Sequence, residues 1–189
     1  MINDKKGKTL LLQTCCAPCV LPILEYLKNK EIEITLYYFN PNISDKAEFL
    51  KRFNEVCKVA DIYGCKTTIL GKGGHKEWLR FLKNHLTKPL ALYDENQDRC
   101  RQCLYMRTKY PFVTAEDNGF DMFSSTFLTS LYKDSEFVRE TIVELAKHSN
   151  VEFLDFDVDK KEFYKKGVEL CKKYDIYRQK FCGCEYSKR

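Results

Sequence analysis

Apolar and polar positions along this chain follow two alternating periods. Residues 9–13 are a short apolar run between polar flanks, which predicts a buried strand. Pro18 follows at a place where the first turn of a helix tolerates a missing N–H. The helix it opens is predicted to run to about residue 29, with Leu21, Leu24 and Leu27 on its inner side. Ile32, Ile34, Leu36 and Tyr38 fall at every second position and predict a second strand, ended by Asn40-Pro41-Asn42. Asp45 then suits the cap of a helix carrying Phe49, Phe53, Val56 and Ala60 at helical spacing. Further strands are predicted at 66–70, 122–125 and 152–156, with an amphipathic helix over 134–148 between the last two, carrying Phe137, Ile142 and Leu145.

Strands separated by helices predict an α/β fold, a parallel five-stranded sheet with helices on both faces. Such sheets bind ligands beyond the C-terminal ends of their strands, where the strand order reverses. Residues 14–19 and 124–133 fall at that edge. The chain reads as a single α/β domain over 1–189, with a helical insertion at roughly 71–110 that adds helices over the site. Gly71-Lys72-Gly73-Gly74 reads as a turn, since no phosphate loop of the P-loop type is present.

Composition narrows the class. With 44% hydrophobic and 31% charged residues, the chain is that of a soluble globular protein. Met1 to Lys8 is polar and the apolar run after it is too short for a signal peptide or membrane span, so a cytoplasmic protein without membrane attachment is expected. In a reducing compartment its 10 cysteines point to metal or redox chemistry rather than disulfides. The net charge of +5 permits a nucleic-acid partner without requiring one.

Seven of the 10 cysteines form three clusters: Cys15-Cys16-Ala17-Pro18-Cys19, Cys100-Arg101-Gln102-Cys103, and Cys182-Gly183-Cys184. The first lies between strand and helix, where unpaired backbone N–H groups favour thiolates. The second places both sulfurs on one helical face or in a chelate at a helix start. In the third, Gly183 lets the backbone turn so that both sulfurs aim the same way. Seven clustered thiols exceed what one [4Fe–4S] cluster or one tetrahedral zinc needs, so a second metal or free thiol chemistry is implied. Cys57, Cys65 and Cys171 are isolated and read as small hydrophobes. His75, His85 and His148 form no ligand pair in the sequence and read as surface or helix-end residues.

These motifs carry a resemblance. The first cysteine run, then Arg99-Cys100-x-x-Cys103-x-x-x-Arg107, then Tyr177-Arg178-Gln179-Lys180-Phe181-Cys182-Gly183-Cys184-x-x-Ser187, together resemble the epoxyqueuosine reductase family QueH. Asn40-Pro41-Asn42-Ile43 and the stretch from Ser125 to Ser130 also match family positions. The chain departs from the family at Gln13-Thr14, Leu104 and Leu131-Tyr132-Lys133, where the family usually has Pro-His-Lys. The resemblance implies a HUP-like fold related to PP-loop ATPases. It implies the last step of queuosine synthesis, in which epoxyqueuosine at the wobble position of tRNA is reduced by two electrons. It further implies a [4Fe–4S] cluster with an additional iron ion, both drawn from Cys15, Cys16, Cys19, Cys100, Cys103, Cys182 and Cys184. An external electron donor of ferredoxin or flavodoxin type would reload the cluster.

Arg107, seven residues after Cys100 on the same helical face, is a candidate to hold substrate or balance thiolate charge. Tyr177, Arg178 and Gln179 are candidates to stack on a splayed base, read its edge or bind phosphate. Arg107 and Tyr177 are taken as catalytic candidates, and Asn40, Asn42, Lys133, Arg178 and Gln179 join them as substrate-binding candidates. Two other readings compete. A PP-loop-like tRNA sulfurtransferase with an iron–sulfur cluster would need a pyrophosphate loop where Cys15-Cys16-Ala17-Pro18 stands. A zinc-bound RNA adaptor would need fewer thiols than this chain has.

Overall fold

The computed structural model describes residues 7–69 and 74–187. Strand β1 (Lys8–Thr14) pairs with β2 (Ile32–Tyr38) on one side and β4 (Met122–Ser125) on the other. Strands β3 (Lys66–Ile69) and β5 (Glu152–Phe153) form the edges. All pairs are parallel and the order is β3-β2-β1-β4-β5. Leu10, Leu11 and Leu12 are all buried. An unbroken apolar run of this kind is what a central strand covered on both faces requires.

The winding direction reverses beside β1. From β1 the chain passes through α1 (Ala17–Leu27) to β2 and through α2 (Lys46–Tyr63) to β3, moving one way across the sheet. It then returns to β4 and β5 on the other side of β1. Right-handed crossovers therefore put α1 and α2 on one face, where α6 (Lys160–Lys173) packs on α1. They put α4 (Asp98–Asp117) and α5 (Ser135–Ala146) on the opposite face, with α3 (His75–His85) against α4. The C-terminal ends of β1 and β4 thus flank the point of reversal.

The local signals act as the sequence suggests. Asp45 caps α2, its Oδ1 accepting from the N–H groups of Ala47 at 2.8 Å and Glu48 at 3.4 Å. Gly64, at φ 68°, closes the same helix in the left-handed region. Leu21, Leu24 and Leu27 are buried beneath α1. The fifth strand is shorter than the expected 152–156: Leu154 still donates to the Phe123 carbonyl, but the Phe156 N–H is taken by the Asp155 side chain. Met1 to Lys6, Leu70 and the Gly71-Lys72-Gly73 part of the predicted turn lie outside the described residues. Helix α4 runs past residue 110 to Asp117. Among the described residues no helix is long and apolar enough to cross a membrane.

Candidate metal centre

The first thiol group is built by one junction. β1 ends at Thr14 and α1 begins at Ala17, with Cys16 as its N-cap in extended backbone and Cys19 in its first turn. The Sγ atoms of Cys15, Cys16 and Cys19 lie within 4.8 Å of one another, with Cys15 and Cys16 at 3.6 Å. The helix N-terminus adds partial positive charge there. The residue after β4 supplies an outside support: the Cys15 N–H donates to Thr126 Oγ1 at 3.1 Å, and the Thr126 hydroxyl donates to Cys15 Sγ at 3.3 Å. Hydrogen bonds from Cys16 and Cys19 hold the Cys15 thiol well below its ordinary pKa, and those same bonds push Cys16 and Cys19 up. Three sulfurs this close, with one favouring its charged form, suit a metal ion that would take the place of the thiol protons.

The second group needs two distant segments. Cys100 lies in the first turn of α4 and Cys103 one turn on. Cys182 and Cys184 arrive on the C-terminal segment, and all four line one pocket with Trp78, Arg107 and Lys133. Gly183 between them sits at φ 105°, and a Cβ there would come within 2.8 Å of Ile43 and 3.1 Å of the Arg52 guanidinium. Only glycine suits both the conformation and the space. Arg52, on α2, fixes this turn: it donates to the carbonyls of Cys182 at 2.9 Å and Phe181 at 3.1 Å, while Glu48 accepts from its Nε at 2.6 Å. The Asn42 amide donates to the Cys182 carbonyl at 3.4 Å and faces its sulfur at 3.7 Å. Lys133 Nζ lies 3.4 Å from Cys182 Sγ. A hydrogen bond from Cys184 and the charges of Lys133 and Arg107 hold Cys182 well below the ordinary thiol range, whereas burial pushes Cys103 up.

One buried arginine serves both groups. Arg107, only 3% exposed, lies 4.0 Å from Cys103 Sγ and donates to Asn40 Oδ1. Asn40 in turn donates to the Thr14 carbonyl at 3.1 Å, at the root of the first group. Burial opposes the charge of Arg107, and Cys103, Cys182 and Cys15 together hold that charge in place. Around these thiols Asn42 Oδ1, Arg107 Nε and Gln179 Oε1 are buried without a hydrogen-bond partner. Such orphaned atoms beside clustered thiols mark a site shaped for a bound group.

The remaining candidates separate. Asn40, Asn42, Arg107 and Lys133 stand around the thiols and hold them or their backbone. Of the three consecutive residues 177–179, each goes a different way. Gln179 reaches Cys16, and Arg178 donates to the Tyr164 hydroxyl on α6 at 3.2 Å. Tyr177 turns to α2: its hydroxyl meets Glu48 at 3.2 Å, its N–H donates to Glu55, and Lys51 Nζ lies 3.6 Å above its ring. The sequence reading missed Arg52, because Glu48 and Arg52 at i, i+4 look like a surface ion pair. It also gave Thr126 no role, since a hydroxyl just past the neighbouring strand, 111 residues along the chain from the thiol, leaves no spacing signal. Burial holds the Cys171 thiol up at about 11, as suits a core residue, while Cys57 is half-buried on α2 and Cys65 packs beside the core ahead of β3.

Comparison with known proteins identifies a family for the chain. The family described as epoxyqueuosine reductase QueH matches residues 10–189. The epoxyqueuosine reductase QueH of Staphylococcus epidermidis is 31% identical over 187 residues, covering 98% of this chain and 78% of that protein. Its counterpart in Streptococcus pyogenes is 32% identical over 184 residues, covering 95% and 70%. Among solved structures, the U34-tRNA thiolase NcsA from Methanococcus maripaludis, determined with its [4Fe-4S] cluster, shares the fold. It superposes with a TM-score of 0.57 at 15% identity, covering 98% of this chain and 63% of the thiolase. A deacetylase of teicoplanin biosynthesis follows at a TM-score of 0.51 and 11% identity, covering 86% of each chain. The parallel sheet with its flanking helices is therefore a fold shared with these two proteins.

Proposed function

The chain belongs to the epoxyqueuosine reductase QueH family, and we propose that it reduces epoxyqueuosine to queuosine in tRNA with two metal centres divided between its two thiol groups. The observation that carries this reading is the sorting of seven clustered cysteines into a compact three and a spread four at the switch point of the sheet. Four thiolates suit a [4Fe–4S] cluster, and Cys100, Cys103, Cys182 and Cys184 would hold it. Three sulfurs mutually within 4.8 Å suit a single ion, since tetrahedral bonds of about 2.3 Å set ligand sulfurs about 3.8 Å apart. Cys15, Cys16 and Cys19 would hold the additional iron and leave its fourth position open.

The reaction takes an epoxide, two electrons and two protons to an alkene and water. When bound, the cluster would supply electrons one at a time and the additional iron a Lewis acid. An external electron donor would reload the cluster. The protein's own part is charge and protons. Arg107 offsets the negative charge gathered on both thiol groups, and Asn40 keeps its guanidinium aimed between them. Lys133, whose Nζ lies 3.4 Å from Cys182 Sγ in the pocket, would deliver a proton to the departing oxygen. Gln179, Arg178 and Asn42 would bind the modified nucleotide. Tyr177, held by Glu48, would position the segment that carries these residues.

A sulfurtransferase of the PP-loop class would need backbone amides open to pyrophosphate after β1. In this chain Cys15-Cys16-Ala17-Pro18 fills that turn, and Pro18 has no N–H. The deciding experiment is anaerobic incubation of reconstituted protein with epoxyqueuosine-containing tRNA, a strong reductant and no ATP, followed by mass spectrometry of the nucleosides. Queuosine should accumulate. Persistence of epoxyqueuosine with an intact, reduced cluster, or a requirement for ATP, would sink the reductase reading.

A further inference from the structure

Next to Lys133, which lines the thiol pocket, the chain carries two exposed aromatic rings that the chemistry above does not use. Tyr132 is 65% exposed and Tyr164 is 40% exposed, yet their rings meet edge to face with centroids 5.9 Å apart. Arg178 joins them, its guanidinium donating to the Tyr164 hydroxyl at 3.2 Å. Three separate segments build this patch: the loop after β4, helix α6 and the segment before Cys182.

Two of those segments also reach inward by one residue. Lys133, next to Tyr132, lies 3.4 Å from Cys182 Sγ. Gln179, next to Arg178, reaches Cys16. Tyr132 and Arg178 are thus each the sequence neighbour of a residue that meets a thiol. Helix α6 adds charge on the side of Tyr164, with Lys160 and Lys161 one turn before it. Exposed aromatic rings edged by cations are the features that hold unstacked bases and their phosphates in single-stranded RNA. A neutral apolar partner would not need the basic rim, and Arg178 beside the rings suits a π face and a phosphate together.

We propose that Tyr132 and Tyr164 form a stacking platform for a nucleobase that flanks the modified wobble nucleotide, with Arg178 and the α6 lysines taking the adjoining phosphates. This rests on tRNA being the substrate, and it adds a specificity element outside the reacting centre. A base held there would pull the anticodon loop open and turn its neighbour toward the thiols.

The test measures RNA binding apart from turnover. The probe is an anticodon stem-loop RNA with 2-aminopurine beside the wobble nucleotide, titrated anaerobically with the cluster-loaded protein. Stacking quenches 2-aminopurine, so wild type should quench it. Tyr132→Ala and Tyr164→Ala should each weaken binding about tenfold and relieve the quenching, with the visible spectrum of the cluster unchanged. Tyr132→Phe should bind as wild type, because the ring and not the hydroxyl carries the stack. Equal affinity and equal quenching in both alanine variants would overturn the proposal. So would unchanged RNA binding coupled to slower reduction by a protein electron donor, which would give this face to that donor. Wild-type protein that binds and quenches the RNA without reducing it would count against the reductase reading and leave the platform standing.

Discussion

The triplet Cys15, Cys16 and Cys19 comes from five consecutive residues at one strand-to-helix junction, whereas Cys100, Cys103, Cys182 and Cys184 come from two segments far apart in the chain. The local group owes its geometry to the end of β1 and the first turn of α1, with one outside hydroxyl from Thr126. The long-range group exists only while the C-terminal turn is docked, and Arg52, Asn42 and the absence of a side chain at Gly183 do that docking. The lesson is one of vulnerability. A change far from any thiol should spare the first group and disturb the second.

The largest effects should come from the thiols themselves, and they divide the groups. Cys182→Ser and Cys184→Ser should remove the brown absorbance of the cluster and drop queuosine formation to background. Cys15→Ser and Cys16→Ser should also abolish turnover, yet keep about four sulfides per chain and lose only the iron in excess of sulfide. Iron and sulfide analysis with visible spectra checks both. Bleaching of the cluster in Cys15→Ser protein would break the division of ligands proposed above.

Next comes the docking of the long-range group. Arg52→Met removes a buried guanidinium from Glu48 and from two carbonyls, at a cost of about 3 kcal/mol. For a chain of this size that lowers Tm by roughly 6–12 °C. Anaerobic thermal melts should show it, with cluster loss preceding loss of the excess iron. A variant that melts like wild type would show that the turn holds itself without Arg52.

Gly183→Ala should act in the same direction but less, at about 2 kcal/mol, because a Cβ there is strained at φ 105° and crowds Ile43. Its cluster should form more slowly on reconstitution. Smallest of all should be Cys171→Ala and Cys57→Ala, which keep both metal contents and full turnover; the buried Cys171 loses about 1 kcal/mol of packing. Metal loss in the Cys171 variant would mean that a core thiol had been mistaken for a bystander.

Much of the frame was legible along the chain. The alternation at Ile32 to Tyr38 is β2, and the apolar run before Thr14 is the central strand. Asp45 caps the helix it was expected to cap. Local signals of this kind work because each depends on neighbours within a turn or two. The fifth strand came out short because Asp155 takes a ladder N–H, a competition that periodicity does not register. Residues 177–179 read as one recognition motif, but the fold sends their side chains to α2, α6 and Cys16 in turn.

The sequence by itself determined that thiols would gather: their number, their pairing and the glycine between the last two are written in the chain, as is the parallel sheet that brings strand ends to one edge. Only the tertiary structure decided which thiols share a pocket, that Arg107 stands between both groups, and that Arg52 clamps the last turn. The physical reason is range. Helix and strand formation answer to contacts a few residues apart, while a buried charge takes its partners from whatever the packing of α2, α4 and the C-terminal segment brings within reach.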